Sequence, residues 1–130
     1  MAAYLSAAWF EDVNDVARAD AGLRTATAGA RVTVQQVVTG APAGDLRYWV
    51  RVDDGEVEAV PGEAPRADAT VTQSYETAAA VSRGELAVEQ ALLEGRVRLS
   101  GDVGVLLRSA AALAGVAAAF AGVRDRTTYG

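Results

Sequence analysis

The sequence predicts an α+β fold, a mixed or antiparallel sheet with helices packed on one of its two faces. Three observations carry this. Five stretches alternate apolar and polar residues with the period of a strand. Both ends of the chain instead show helical spacing. The polar positions of the separate strands also agree with one another. Arg31, Thr33 and Gln35, Arg47 and Arg51, Glu56 and Glu58, Thr70 and Thr72, and Arg96 and Arg98 form one solvated side, which leaves the other side for the helices.

The first element reads as an amphipathic helix from about Ser6 to Arg24. Leu5, Trp9, Val13, Val16, Asp20 and Leu23 follow at steps of three and four, and only Asp20 spoils the apolar stripe. Glu11, Asp12 and Asp15 suit the positive end of the helix dipole and call for no cation. From Ala30 to Thr39 the period becomes two, with Gln36 a polar member of the apolar row Val32, Val34, Val38 and a candidate pocket anchor.

After the Gly40, Pro42, Gly44 loop, Leu46, Tyr48, Val50 and Val52 alternate with Arg47, Trp49, Arg51 and Asp53. Asp54-Gly55 then supplies a two-residue turn. The return strand Glu56 to Val60 places Val52 opposite Val57, Val50 opposite Ala59 and Arg51 opposite Glu58. Val37, Trp49 and Val60 interrupt the polar face, as a dimer contact or the seat of a loop would. Pro61, Gly62 and Pro65 make the run to Asp68 a crossing loop.

Ala69 to Gln73 resumes a strand, Ser74 caps a short helix from Tyr75 to Arg83, and Gly84 closes it. A second short helix spans about Val88 to Glu94. Leu92 to Asp102, LLEGRVRLSGD, then combines a helix end at Gly95, a strand from Arg96 to Ser100, a turn at Gly101 and a cap at Asp102. The final helix, Asp102 to Arg124, is apolar around nearly its whole circumference. Arg108 interrupts it and its alanines and glycines partition poorly into lipid, so no membrane span is expected. It must be covered on several sides, line a cavity or meet a partner.

Composition narrows the chemistry. At 130 residues the chain fits one domain, 1–130. It has no Cys and no His, and all twelve basic residues are Arg. Thiolate, imidazole and Schiff-base catalysis and the usual zinc sets are therefore excluded, and neither a metal nor another cofactor is expected. A net charge of −5 with no basic stripe argues against nucleic acid. The start, Met1 to Phe10, lacks a basic leader, so a cytoplasmic protein is expected. The Ala, Gly, Val and Arg bias without Lys hints at a bacterial source of high GC content.

The run Asp68-Ala69-Thr70-Val71-Thr72, Tyr75, Gly84-Glu85-Leu86 and Leu93 through Asp102 resembles the signature of sterol carrier protein type 2 domains, the non-specific lipid-transfer domains. The hairpin Tyr48 to Val57 and the helix start Leu5 to Trp9 are similar to that family too, so the resemblance covers almost the full chain. It implies a five-stranded mixed sheet of order 3-2-1-4-5 with helices over one face and an apolar cavity between. It also implies a sterol, fatty acid, acyl-CoA or similar hydrophobic ligand. Ala87 stands where the family often has Pro and Ala78 where a large aromatic is common, which bears on pocket size. The tail Thr128-Tyr129-Gly130 is not the peroxisomal tripeptide.

Face assignment gives the expected lining: Trp9, Val34, Tyr48, Val50, Leu106, Leu107, Ala110, Leu113 and Phe120. The expected function is binding of a lipid or other hydrophobic small molecule without catalysis. Two alternatives stand beside it. One is an interaction module, such as a homodimer through the last helix. The other is an enzyme on a hydrophobic metabolite that uses Asp102 or Glu85 with an Arg.

Overall fold

The structure is a computed structural model and describes residues 2–42 and 44–129. Met1, Ala43 and Gly130, which belong to the start, the Gly40–Gly44 loop and the tail read above, lie outside the described residues. The elements are β1 (Ala2–Ala3), α1 (Ala7–Ala19), α2 (Ala21–Ala26), β2 (Arg31–Ala41), β3 (Gly44–Asp53), β4 (Glu56–Pro61) and β5 (Ala69–Ser74). There follow α3 (Tyr75–Ser82), α4 (Val88–Leu93), β6 (Val97–Gly101), α5 (Val103–Arg108), α6 (Ala110–Ala121), a 3-10 turn (Arg124–Arg126) and β7 (Thr127–Thr128).

The main sheet runs β4-β3-β2-β5-β6, with β2 and β5 parallel and the other pairs antiparallel. With β1 set aside, this is the expected order 3-2-1-4-5. The β3–β4 hairpin has the register the turn demanded, Val52 opposite Val57, Arg51 opposite Glu58 and Val50 opposite Ala59. Asp54 and Gly55 both take positive φ, 45° and 93°, as a turn matched to the strand twist requires. β1 and β7, unforeseen, clasp the two ends of the chain in a short parallel pair.

The expected first helix is two helices. Asp20, the residue that spoilt the stripe, leaves helical geometry at φ −91° and ψ 101°, and its carboxylate accepts a hydrogen bond from the Leu23 N–H at 3.0 Å. A continuous helix would bury that carboxylate on the core face; the break turns it into an N-cap. Leu5, Trp9, Val13 and Leu23 are nevertheless buried as expected.

α1 also seals one edge of the sheet. The Asn14 side-chain amide donates to the Ala59 carbonyl at 3.0 Å, and its carbonyl accepts from the Ala59 N–H at 2.8 Å. The outward backbone groups of edge strand β4 are thereby occupied at that position. Asn14→Ala leaves both groups without their partner and should lower stability by about 1–3 kcal/mol, read from urea midpoints at unchanged slope.

On the polar face, the buried glutamine is Gln35 rather than Gln36. Its amide nitrogen donates to the carbonyls of Tyr48 (2.9 Å) and Gly62 (3.1 Å), and its carbonyl accepts from the Ala64 N–H at 2.8 Å. Arg47 and Glu63 add an ion pair. The crossing loop is thus pinned to this face beside Trp49, which favours the loop-seat reading of the Val37, Trp49 and Val60 patch.

The expected last helix divides at Ser109 into α5 and α6. α6 buries only Ala112, Val116 and Ala119 and leaves Ala111, Ala114, Ala117 and Ala118 exposed. An exposed alanine presents little apolar area, which is how an almost wholly apolar helix lies on a core with one side in water. Gly115 lets it come close to α2, since a Cβ there would meet the Ala26 Cβ at 3.3 Å. Among the described residues no helix is long and apolar enough to cross a membrane.

Candidate functional site

The site begins with a row of side chains across the helix-facing side of the sheet. Register places Leu99 beside Val71, Val71 beside Gln36, and Gln36 beside Tyr48. Neighbouring strands lie about 4.8 Å apart, so the row spans roughly 14 Å from the β6 edge to β3. Leu99 is partly open to solvent, Val71 and Gln36 are half-buried, and Tyr48 is buried. The row runs from surface to interior.

Its inner end is aromatic. The Tyr48 ring lies 5.3 Å from Phe10 and 6.2 Å from Trp9, between centroids. Trp9 also meets Tyr4 at 5.2 Å, Phe10 at 5.1 Å and Phe120 at 6.2 Å, each edge to face. Tyr4 extends the cluster to Tyr75 and Tyr129. Every aromatic residue of the chain except Trp49 is linked in this network.

Burial pushes the Tyr48 phenol up to about 12. Tyr4 is raised further, first by burial and then by the other tyrosines. Both therefore stay protonated at neutral pH and supply hydroxyl groups, not bases. Asp102 and Glu85 are exposed at the surface: Asp102 accepts from the Val105 N–H at 3.1 Å as the cap of α5, and Glu85 pairs with Arg83 at 2.9 Å.

The outer end is framed by α4 and α5, the two short helices that flank β6 in the chain. α4 buries Ala91 and packs on β6, while α5 packs on β5 and α6 and buries no residue fully. Gly95, at φ 72°, ends α4 and brings the Arg96 N–H to the Ala91 carbonyl at 2.9 Å. Among the described residues, every large exposed apolar side chain lies in this stretch: Val88, Leu92, Leu93, Leu99, Val103 and Leu107. Leu93 is 89% exposed and Leu107 74%.

Of the nine expected lining residues, Trp9, Val34, Tyr48 and Val50 are buried in the core, and Leu106, Leu113 and Phe120 are half-buried against it. Leu107 and Ala110 are exposed and stand outside that group. The apolar residues of α4 and β6 escaped the face assignment. Their signal was the adjacent pair Leu92-Leu93, since neighbours in a helix point about 100° apart and one short helix cannot bury both.

The sequence profile described as the SCP-2 sterol transfer family matches residues 11–114. The chain belongs to that family. Its fold is also that of solved members. It resembles a crystal structure of sterol carrier protein 2 with a TM-score of 0.76 and 21% identity, over 91% of this chain and 97% of that one. A protein from Thermus thermophilus matches with a TM-score of 0.73 and 21% identity, over 91% and 87% of the two chains. Palmitated SCP2L2 from Aedes aegypti matches with a TM-score of 0.59 and 24% identity, over 82% and 90%. Comparison with curated proteins gives no sequence match. In this member of the SCP-2 family the Tyr4 hydroxyl donates to the Ala78 carbonyl at 3.3 Å.

Proposed function

We propose that this SCP-2 family member binds a lipid or other hydrophobic small molecule between the sheet and the helices, as a carrier or sequestering protein without catalysis. The single observation that carries the reading is the gathering of the exposed apolar side chains on α4, β6 and α5, at the outer end of the Leu99–Val71–Gln36–Tyr48 row. Leu106, Leu113 and Phe120 form the helix side of the site, and Val34, Tyr48, Val50 and Trp9 its inner wall. Leu107 and Ala110 belong to its rim. The nine expected residues therefore serve as one site only when a ligand parts α5 and α6 from the sheet.

The driving force is desolvation. About 400 Å² of buried ligand surface gives roughly 10 kcal/mol gross at about 25 cal/mol per Å², before ordering and association costs. Micromolar binding follows without a specific polar contact. The exposed positions of Asp102 and Glu85 favour a carrier over an enzyme. The protein acts as one domain, 1–130, in the cytoplasm, with no cofactor.

Delipidated protein titrated with a fluorescent acyl chain should show saturable binding that sterols or fatty acids displace. Absence of binding to acyl chains, sterols and hydrophobic dyes alike would overturn the reading. A concentration-dependent dimer in sedimentation, with no ligand binding, would favour the interaction module instead.

A further inference from the structure

The fold satisfies its buried polar groups with care. The Thr27 and Thr127 hydroxyls donate to the carbonyls of Leu23 and Val123 at 2.9 Å and 2.7 Å. Thr77 accepts from Arg96 at 3.2 Å, and Gln35 is held at both ends of its amide. Among the described residues, one buried side-chain polar atom has no partner, the Trp9 indole Nε1. Trp9 is 2% exposed.

An unmade hydrogen bond of this kind destabilises the fold, and a phenylalanine would fill an aromatic cluster without it. A buried water is a poor remedy, because it needs several polar partners, and of the four rings packed on Trp9 only Tyr4 and Tyr48 carry a hydroxyl, that of Tyr4 already donating to the Ala78 carbonyl. The location is also informative. Trp9 lies at the inner end of the row that starts at the apolar opening, against Tyr48. Among the rings around it, Phe10 and Tyr48 are buried and Tyr4 is tied to Ala78. Tyr4 and Phe120 are both half-buried, but Phe120, on α6, has no polar group to tether it. A molecule that reached Trp9 from the opening would displace this ring first.

We infer that Trp9 is a specificity residue whose indole N–H donates a hydrogen bond to an acceptor oxygen at the buried end of the bound molecule. This rests on the hydrophobic-ligand reading above. The apolar chain lies along the row toward Leu99, and the oxygen lies against Trp9.

Three probes with one chain length separate the acceptor from the apolar tail: dodecanoate and dodecanol, whose heads accept, and dodecylammonium, whose head only donates. Trp9→Phe should weaken dodecanoate and dodecanol by about five- to tenfold, the worth of one hydrogen bond, and leave dodecylammonium within about twofold. The wild-type protein gives a second readout that needs no folded variant. Its two indole N–H signals, assigned with Trp49→Phe, should respond differently, with the Trp9 proton moving downfield on addition of dodecanoate or dodecanol and not of dodecylammonium. Equal weakening of all three probes by Trp9→Phe, or binding that leaves the Trp9 indole signal in place, would overturn the inference while the hydrophobic-ligand reading stands. Failure of all three probes to bind the wild type would overturn the inference, and failure of sterols and hydrophobic dyes as well would overturn the hydrophobic-ligand reading with it.

Discussion

Gly101→Val is expected to cost about 3–5 kcal/mol, a large share of the stability of a domain this size. Gly101 ends β6 at φ 84°, a region that a β-branched residue adopts only under strain. A Cβ there would meet the Asp68 carbonyl oxygen at 2.9 Å and the Ala69 Cα at 3.0 Å. Neither can retreat. The Asp68 carbonyl accepts from the Asp102 N–H at 2.9 Å, and its side chain accepts from the Thr33 N–H at 2.8 Å, so this residue is held from both sides. Urea unfolding should show the loss, and Gly101→Ala a smaller loss in the same direction. A valine variant within about 1 kcal/mol of wild type would mean that β6 is not anchored as described.

The second large effect is functional. Leu93→Asn combined with Leu107→Asn should weaken acyl-chain binding and slow transfer between vesicles by about tenfold or more, with thermal stability nearly unchanged. Full burial of a leucine contributes roughly 1.5–3 kcal/mol, and about 1.4 kcal/mol is tenfold in affinity. Side chains 89% and 74% exposed contribute little to folding, so the contrast between binding and stability separates a ligand or membrane contact from a packing role. Equal affinity and transfer in the double variant would remove the rim from the site.

The hairpin was legible from Tyr48 to Val57 because a two-residue Asp54-Gly55 turn admits one register and every cross-strand pair then agrees. The strand order came with the family resemblance, which the profile match bears out. Asp20 was the visible flaw in the first helix, yet periodicity alone counts a polar residue as an imperfection and does not say that the chain breaks to make it a cap. Pattern put Gln36 in the apolar row and Gln35 on the solvated face; what nevertheless buries Gln35 is a loop that returns from residues 62–64, far along the chain. Asn14 on the edge of β4 and the orphaned Trp9 N–H are likewise tertiary facts. Of the expected lining, face assignment anticipated the burial of Trp9, Val34, Tyr48 and Val50, while the exposure of Leu107 and Ala110 was not legible because the pattern does not show the division of the last helix at Ser109.

The central claim is that a hydrophobic molecule enters between α5, α6 and the sheet through the apolar opening at α4 and β6. Amide hydrogen exchange of delipidated protein, with and without saturating dodecanoate, tests it most directly. Slower exchange in α5, the start of α6 and β6, with the β3–β4 hairpin unchanged, is the predicted result. Protection confined to the β4 edge or the polar face of the sheet, or no change at a dodecanoate concentration that saturates binding, would contradict it.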